Sequence, residues 1–276
     1  MTMQTFSRRR ALMLGAAFSL AGPAAMAAPR AKLIDDSWWA TGSGGDPDYG
    51  VWAEFLKTYL RPGSDGLTRV AYGQAQSDGA DRALRSWLGQ TQKTDPGTLS
   101  PAAQRAWWYN LYNAATVDLV LSEFPVSSIK RVKGGLFNTG PWDEDVLTVN
   151  GVAMCLNDIE HGILRPIYRD NRVHYAVNCA SVGCPNIKAT PWIAATLDAD
   201  LNSAARDYVN NPRGASVSGG KLAVSKIYTW YDEDFGGSEA GIIAHLKQYA
   251  GPDLAAALGF VNGIDEDVYD WDLNGA

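Results

Sequence analysis

The sequence predicts an α+β domain, with several helices packed against a small, mostly antiparallel sheet. Apolar residues recur at helical spacing in several long stretches, and shorter apolar runs of strand length lie between them. An Asn150-Gly151 pair between two such runs marks a tight hairpin turn.

The chain opens with a basic segment, Ser7-Arg8-Arg9-Arg10, followed by the apolar run Ala11 to Ala21 and the small residues Ala25-Met26-Ala27. This is the layout of a signal peptide of the twin-arginine type, so residues 1–27 are expected to direct export and to be removed. Gly15, Gly22 and Pro23 interrupt a run too short to serve well as a membrane anchor. Residues 28–276 are then expected to form one globular domain in the periplasm or an equivalent exported compartment, with no membrane span after cleavage.

After an irregular glycine-rich entry up to Gly50, helices are expected near Trp52 to Leu60 and Gln74 to Leu88. Ser100 is a suitable N-cap and Pro101 a suitable first residue for the strongest helix, Ala102 to Phe124, which Pro125 ends. A glycine-rich stretch through Gly134-Gly135-Leu-Phe follows. The hairpin comes next, Val146 to Val149 and Val152 onward. Asn157 with Glu160 resembles a capping box, which predicts a short helix from Asp158 to Leu164 that stops at Pro166. Val173 to Cys179 reads as a buried strand. Further helices are expected near Trp192 to Asn210 and Ala240 to Tyr249, with a strand at Lys221 to Ser225. The Cys179 to Cys184 turn is expected at one sheet end.

The chain holds 24 basic and 30 acidic residues. The leader takes three arginines with it, leaving 21 basic residues and a net charge of −9. No basic stripe is visible, so a nucleic-acid partner is excluded as the expectation. The three cysteines, Cys155, Cys179 and Cys184, are too few for a disulfide scaffold and odd in number, so at least one is unpaired within the chain. Nothing points to a bound cofactor.

Three segments are the least generic. They are Trp107-Trp-Tyr-Asn110-Leu-Tyr-Asn113, Leu156-Asn-Asp-Ile-Glu160-His161-Gly-Ile-Leu-Arg165, and His174-Tyr-Ala-Val-Asn-Cys179-Ala-Ser-Val-Gly183-Cys184-Pro185. In this order they resemble the domain of unknown function 547 family, over roughly residues 85 to 250, and Lys226 to Phe235 also fits its pattern. The resemblance implies no activity. Family members often carry serine just before the second cysteine; Gly183 stands there in this chain, which puts any role of a hydroxyl at that position in doubt.

Thiol, histidine and an orienting amide or carboxylate are the parts of a cysteine-nucleophile site. Candidates are Cys179 and Cys184 as thiols, His161 as base, and Asn110, Asn113 or Glu160 as orienters. If residues 173–179 form a strand, His174 and Cys179 point to opposite faces and His174 is a supporting residue. Cys184 precedes Pro185, whereas Cys179 is followed by Ala180, Ser181 and Val182, whose amides can form an oxyanion hole, which favours Cys179. Three fates of the cysteine pair stay open: a disulfide, a reactive thiol, and a zinc site with His161 and His174, for which the Cys-x4-Cys spacing is loose. His245 reads as packing and Cys155 as a small core residue. The tryptophans Trp107, Trp108, Trp142, Trp192 and Trp230 suggest either core or a ligand cleft. Asp143-Glu144-Asp145 and Asp232-Glu233-Asp234 read as solvated loops.

At the level of fold, a helix ahead of segments bearing cysteine and histidine resembles the papain and transglutaminase superfamilies. Two functions follow as expectations: a thiol-dependent hydrolase or acyl-transferase acting on a peptide or amide, or a non-catalytic envelope module that binds a partner and carries a structural Cys179–Cys184 disulfide.

Overall fold

The longest helix organises everything else. In the computed structural model, which describes residues 36–133 and 140–276, Ser100 Oγ accepts from the Ala103 amide and Pro101 fills the first helical position. The leader 1–27 and the Gly134-Gly135-Leu-Phe stretch lie outside the described residues.

Ahead of that helix come α1 (Gly50–Tyr59), the short antiparallel pair β1 (Leu60–Pro62) and β2 (Thr68–Val70), then α2 (Tyr72–Ser77) and α3 (Ala80–Thr91). The single helix expected over Gln74 to Leu88 is thus two. The break falls at Gly79, whose φ of 73° is open to glycine at low cost. The organising helix, α4 (Pro101–Glu123), is buried on nearly all sides, and its residues from Ala106 to Val117 are all buried. A helix covered all round is a core element. Trp52, Leu56, Leu84, Trp87 and Leu88 from α1 and α3 share its apolar cluster.

The expected hairpin is present as β3 (Leu147–Val149) and β4 (Val152–Met154), with Asn150 at φ 49° and Gly151 at φ 78°. Two successive positive φ angles give the primed turn that suits strand twist. Asp158–Leu164 is a π-helical segment rather than an α-helix, and Asn157 makes no capping bond. Its side chain instead donates to Asp143 Oδ1 at 2.7 Å. Pro166 does not stop the chain there, because it sits in the first turn of α5 (Arg165–Tyr168), where a proline costs no hydrogen bond.

The predicted strand Val173 to Cys179 is corrected by the structure. Residues Val173–Ala176 form one helical turn, α6, and Val177 after it is extended. A short apolar run fits either state, and here the local helical bonds win. The argument from strand parity about His174 falls with it.

The second half contains α7 (Leu197–Val209), β5 (Ala215–Ser218), β6 (Lys221–Ser225), α8 (Lys226–Trp230), α9 (Glu239–Tyr249), α10 (Pro252–Leu258) and β7 (Glu266–Val268). These enclose a second apolar cluster that includes Tyr175, Tyr208, Leu222, Tyr228, Phe235 and Leu246. The class is α+β, as expected. Among the described residues the strands nevertheless lie in three small sheets, antiparallel except for the parallel β6–β7 pair, and the cysteine turn follows a helical turn rather than a sheet strand.

The last residues run back across the molecule as a strap. Val182 N–H donates to Asp272 O, Gly183 N–H to Asp270 O, and Asn274 N–H to Ala180 O. Leu273 N–H reaches Ser127 O, and Ala276 N–H reaches Val70 O.

Candidate functional site

Two buried amides on α4 fix the surroundings. Asn113 Nδ2 donates to Ala176 O and its Oδ1 accepts from Asn178 N–H, both at 2.8 Å. Asn110 makes the same double contact with the backbone of Trp192, at 2.8 and 2.9 Å. A primary amide pairs with a peptide as a neighbouring strand would, and either asparagine reduced to alanine would strand two buried partners. Asn113 therefore braces the approach to Cys179, while Asn110 braces a segment beyond the cysteine turn.

The turn itself is held from within. Asn178 Oδ1 accepts from Ala180 N–H at 2.7 Å, and its Nδ2 donates to Pro185 O at 2.6 Å. Ala180 is fully buried at φ 59°, a left-handed conformation that alanine adopts at a cost. Cys179 and Cys184 form a disulfide with Cα atoms 6.3 Å apart. Cys184 is buried and Cys179 half-buried. The Cys184 sulfur accepts from Cys179 N–H at 3.0 Å. Around the pair stand Ser181 Oγ, 3.2 Å from Cys179 Sγ, and Tyr269 Oη, 3.0 Å from Cys179 Sγ and 3.1 Å from Cys184 Sγ. The amides expected to form an oxyanion hole are largely engaged: Ala180 N–H by Asn178, and Val182 N–H by the strap. Gly183 is explained by the strap too, since a Cβ there would stand 2.9 Å from the Asp270 backbone.

Next to the turn lies an ionic group. His174 Nε2 is 2.7 Å from Asp234 Oδ2; a carboxylate only accepts, so this nitrogen carries the proton. The other ring nitrogen, Nδ1, is 3.7 Å from Glu160 Oε1. Glu160 Oε2 accepts from the Tyr112 hydroxyl at 3.0 Å. Arg165 Nε donates to Asp234 Oδ2 at 2.6 Å, and its Nη1 meets His161 Nδ1 at 3.2 Å. The Tyr231 ring stacks on His174, with centroids 4.4 Å apart, and carries the Arg165 guanidinium on it at 4.8 Å. The π-helical turn puts Glu160 and His161 side by side in this group, and such widened turns recur at functional sites.

Electrostatics follow from these contacts. Burial opposes ionisation of Asp234, yet the hydrogen bonds from His174 and Arg165 outweigh it and hold the carboxyl down to about 2. Burial pushes the His161 pKa down, Arg165 and His174 add to that, and Glu160 opposes it. His161 is thereby kept neutral near neutral pH. Arg165 occupies its Nδ1 lone pair, so Nε2 carries the proton. Burial also drives the Tyr269 hydroxyl well up, with Tyr208, Tyr231 and Glu160 adding to it. The cysteine turn and the ionic group are one electrostatic neighbourhood.

The structure thus brings together Glu160, His161 and His174 as one group, and Cys179 with Cys184 as another beside it. Among the described residues, no hydrogen bond joins His161 to either cysteine, and no three of His, Cys, Asp and Glu converge as a metal-binding group. Sequence reasoning missed Tyr112, Arg165, Tyr231, Asp234 and Tyr269. Asp234 belongs to a run read as a solvated loop, and is in fact the partner of His174. Its signal was its position inside the Lys226 to Phe235 segment. Trp107, Trp108 and Trp192 are core residues, whereas Trp142 and Trp230 are half-buried and join Trp271 and Tyr269 in a line of rings with neighbouring centroids 4.6 to 5.7 Å apart.

No curated protein and no solved structure matches the chain, so the papain or transglutaminase likeness gains no support. A family model does match. Residues 96–209 match the model of DUF547, described as a protein of unknown function.

Proposed function

With a DUF547 domain as the premise, we propose that the protein is an exported thiol-dependent hydrolase or acyl-transferase acting on a peptide or amide. Cys179 is its nucleophile once the Cys179–Cys184 disulfide is opened. One observation carries the reading: the turn is already over-determined without its disulfide. Asn113, Asn178 and three strap bonds hold it, while closing so short a loop through sulfur contributes only about 2 kcal/mol. Sulfurs redundant as a staple, next to a strained Ala180 and an ionic group with displaced pKa values, are placed for chemistry.

In this reading the Cys179 thiolate adds to the carbonyl carbon, and the carbon–nitrogen bond of the tetrahedral adduct breaks. The amine leaves with a proton, and the acyl thioester passes to water or to a second amine. His161 is the proton carrier, and for that Arg165 must release Nδ1. Asn113 holds the approach to the nucleophile. The leader expected at residues 1–27 accounts for export; Arg8 and Arg9 both changed to lysine should block it, and undiminished delivery would rule out the twin-arginine route.

The disulfide itself favours a second reading, an envelope module that binds a peptide or other envelope ligand and catalyses nothing. Thiol counting with mass mapping on protein isolated from the exported compartment, then after mild reduction, separates the two. Rapid iodoacetamide labelling of Cys179 after reduction, slowed in His161→Ala, supports the thiol enzyme. A disulfide that resists reduction, or equal labelling in both proteins, supports the module.

A further inference from the structure

The sulfur pair is completed by a side chain from far along the sequence, beyond the family-matched segment. Tyr269 Oη is within hydrogen-bond reach of both sulfurs and 2.8 Å from Ser181 Oγ. Backbone contacts deliver it: Gly183 N–H donates to Asp270 O and Val182 N–H to Asp272 O, each at 2.8 Å. A Cβ at position 183 would stand 2.9 Å from both the N and the O of Asp270 and 3.0 Å from Tyr269 Cδ2. The missing side chain at 183 is what lets the strap close on the turn. Two independent features, a bare glycine and a hydroxyl aimed at two sulfurs, serve one juxtaposition.

The two sulfurs are not equivalent. Cys179 is half-buried and Cys184 is 4% exposed, so an external thiolate reaches Cys179. Tyr269 Oη reaches both sulfurs, at 3.0 Å from Cys179 Sγ and 3.1 Å from Cys184 Sγ, and Cys184 Sγ in addition accepts from Cys179 N–H at 3.0 Å, so when an external thiolate attacks Cys179 it is the departing Cys184 sulfur that these donors receive. Resting on the reading of this site as a thiol centre, we propose that Tyr269 is its positioning residue: the phenol holds Cys184 as the leaving thiolate and leaves Cys179 as the outward nucleophile.

The opening step requires a dithiol reductant. One thiolate of the dithiol attacks Cys179 Sγ, the Cys179–Cys184 bond breaks, and its electron pair goes to Cys184. The second sulfur of the dithiol then attacks the mixed disulfide, closes a cyclic disulfide and releases Cys179. The dithiol loses two electrons and two protons; the protein pair gains them as two thiols. A hydrogen-bond donor at the leaving sulfur lowers its pKa and speeds its departure. The titratable and charged groups facing Tyr269 are Tyr208, Tyr231, Glu160, Tyr112 and Arg213. Burial, aided by Tyr208, Tyr231 and Glu160, keeps the phenol protonated and therefore a donor.

The test is reduction of the whole protein by dithiothreitol across pH, with iodoacetamide trapping and mass mapping of each cysteine. Tyr269→Phe keeps the ring and loses the hydroxyl. We expect reduction roughly tenfold slower at pH 7, and the alkylation midpoint of Cys184 raised by about one pH unit. Gly183→Ala, which retains the phenol but pushes on the strap, should move both readouts the same way. Unchanged rates and midpoints in Tyr269→Phe overturn the proposal, as does slower reduction with no change in midpoint, which is the mark of a merely structural role. No acyl substrate enters the measurement. If reduced wild type turns over no amide, the hydrolase reading fails while the Tyr269 effect is still decided by these rates.

Discussion

His174 and His245 are equally buried, both 3% exposed, and both lie against tyrosine rings, yet they live in opposite surroundings. Among the described residues, the hydrogen-bond partners of His245 are neutral: the Tyr175 hydroxyl at 2.6 Å and Asn171 at 3.2 Å. His174 stands between Asp234 and Glu160, with Arg165 on the same carboxylate. The second core tolerates one imidazole as a neutral packing piece, whereas the ionic group is assembled around the other. Burial alone does not set an imidazole's electrostatic surroundings; the charge of what it touches does.

The largest effect expected from this contrast is at His245. Burial, with His174 adding to it, lowers the His245 pKa to about 4. Below about pH 6.5 the unfolded chain takes up a proton that the folded one refuses, so stability falls between about pH 6.5 and 4, by about 3 kcal/mol. His245→Gln, which can still bond to Tyr175, should flatten urea midpoints across that window. An unaltered slope would show that His245 is not the neutral residue described.

A buried polar group with no charge sharpens the comparison. Asn113→Ala should cost about 1 to 3 kcal/mol at every pH, because it strands Ala176 O and Asn178 N–H. A loss that varied with pH would mean that the amide is coupled to the ionic group. The smallest effect belongs to Asp234, whose side chain is 26% exposed. Its folded pKa of about 2 is depressed, so its contribution is complete above about pH 4 and lost as pH falls towards 2, by about 1 to 2 kcal/mol after solvent screening. Asp234→Asn should remove that lower window and leave the upper one. If it removed the upper one instead, the two histidines would have to exchange roles.

Local signals were legible in the sequence. Ser100-Pro101 and Pro125 bracket α4 to within a residue, and Asn150-Gly151 mark their turn by its two positive φ angles. The amides Asn110 and Asn113 announced themselves as polar residues on an apolar helix. Where the chain has to choose between helix and strand over a short apolar run, as at Val173–Ala176, nothing local decides, and the strand-parity argument about His174 fails with it. Arg165, Tyr231 and Asp234 were illegible for another reason. Each is an ordinary surface-type residue until α8 and the turn after it fold back onto the π-helical segment. Tyr269 carried no local signal of its site, because its significance depends on a strap contact with residues more than eighty positions away.

That strap orders events during synthesis. Val70, Ser127 and Ala180 each wait for a partner between residues 273 and 276, so the contacts that seat Tyr269 on the sulfurs have large sequence separation and form late. A ribosome that has delivered Cys179 and Cys184 still holds an unfinished site, with the turn uncovered until residues 269–276 have emerged. Chemistry at Cys179 and Cys184 in a nascent chain therefore proceeds without the hydroxyl that later stands against both sulfurs.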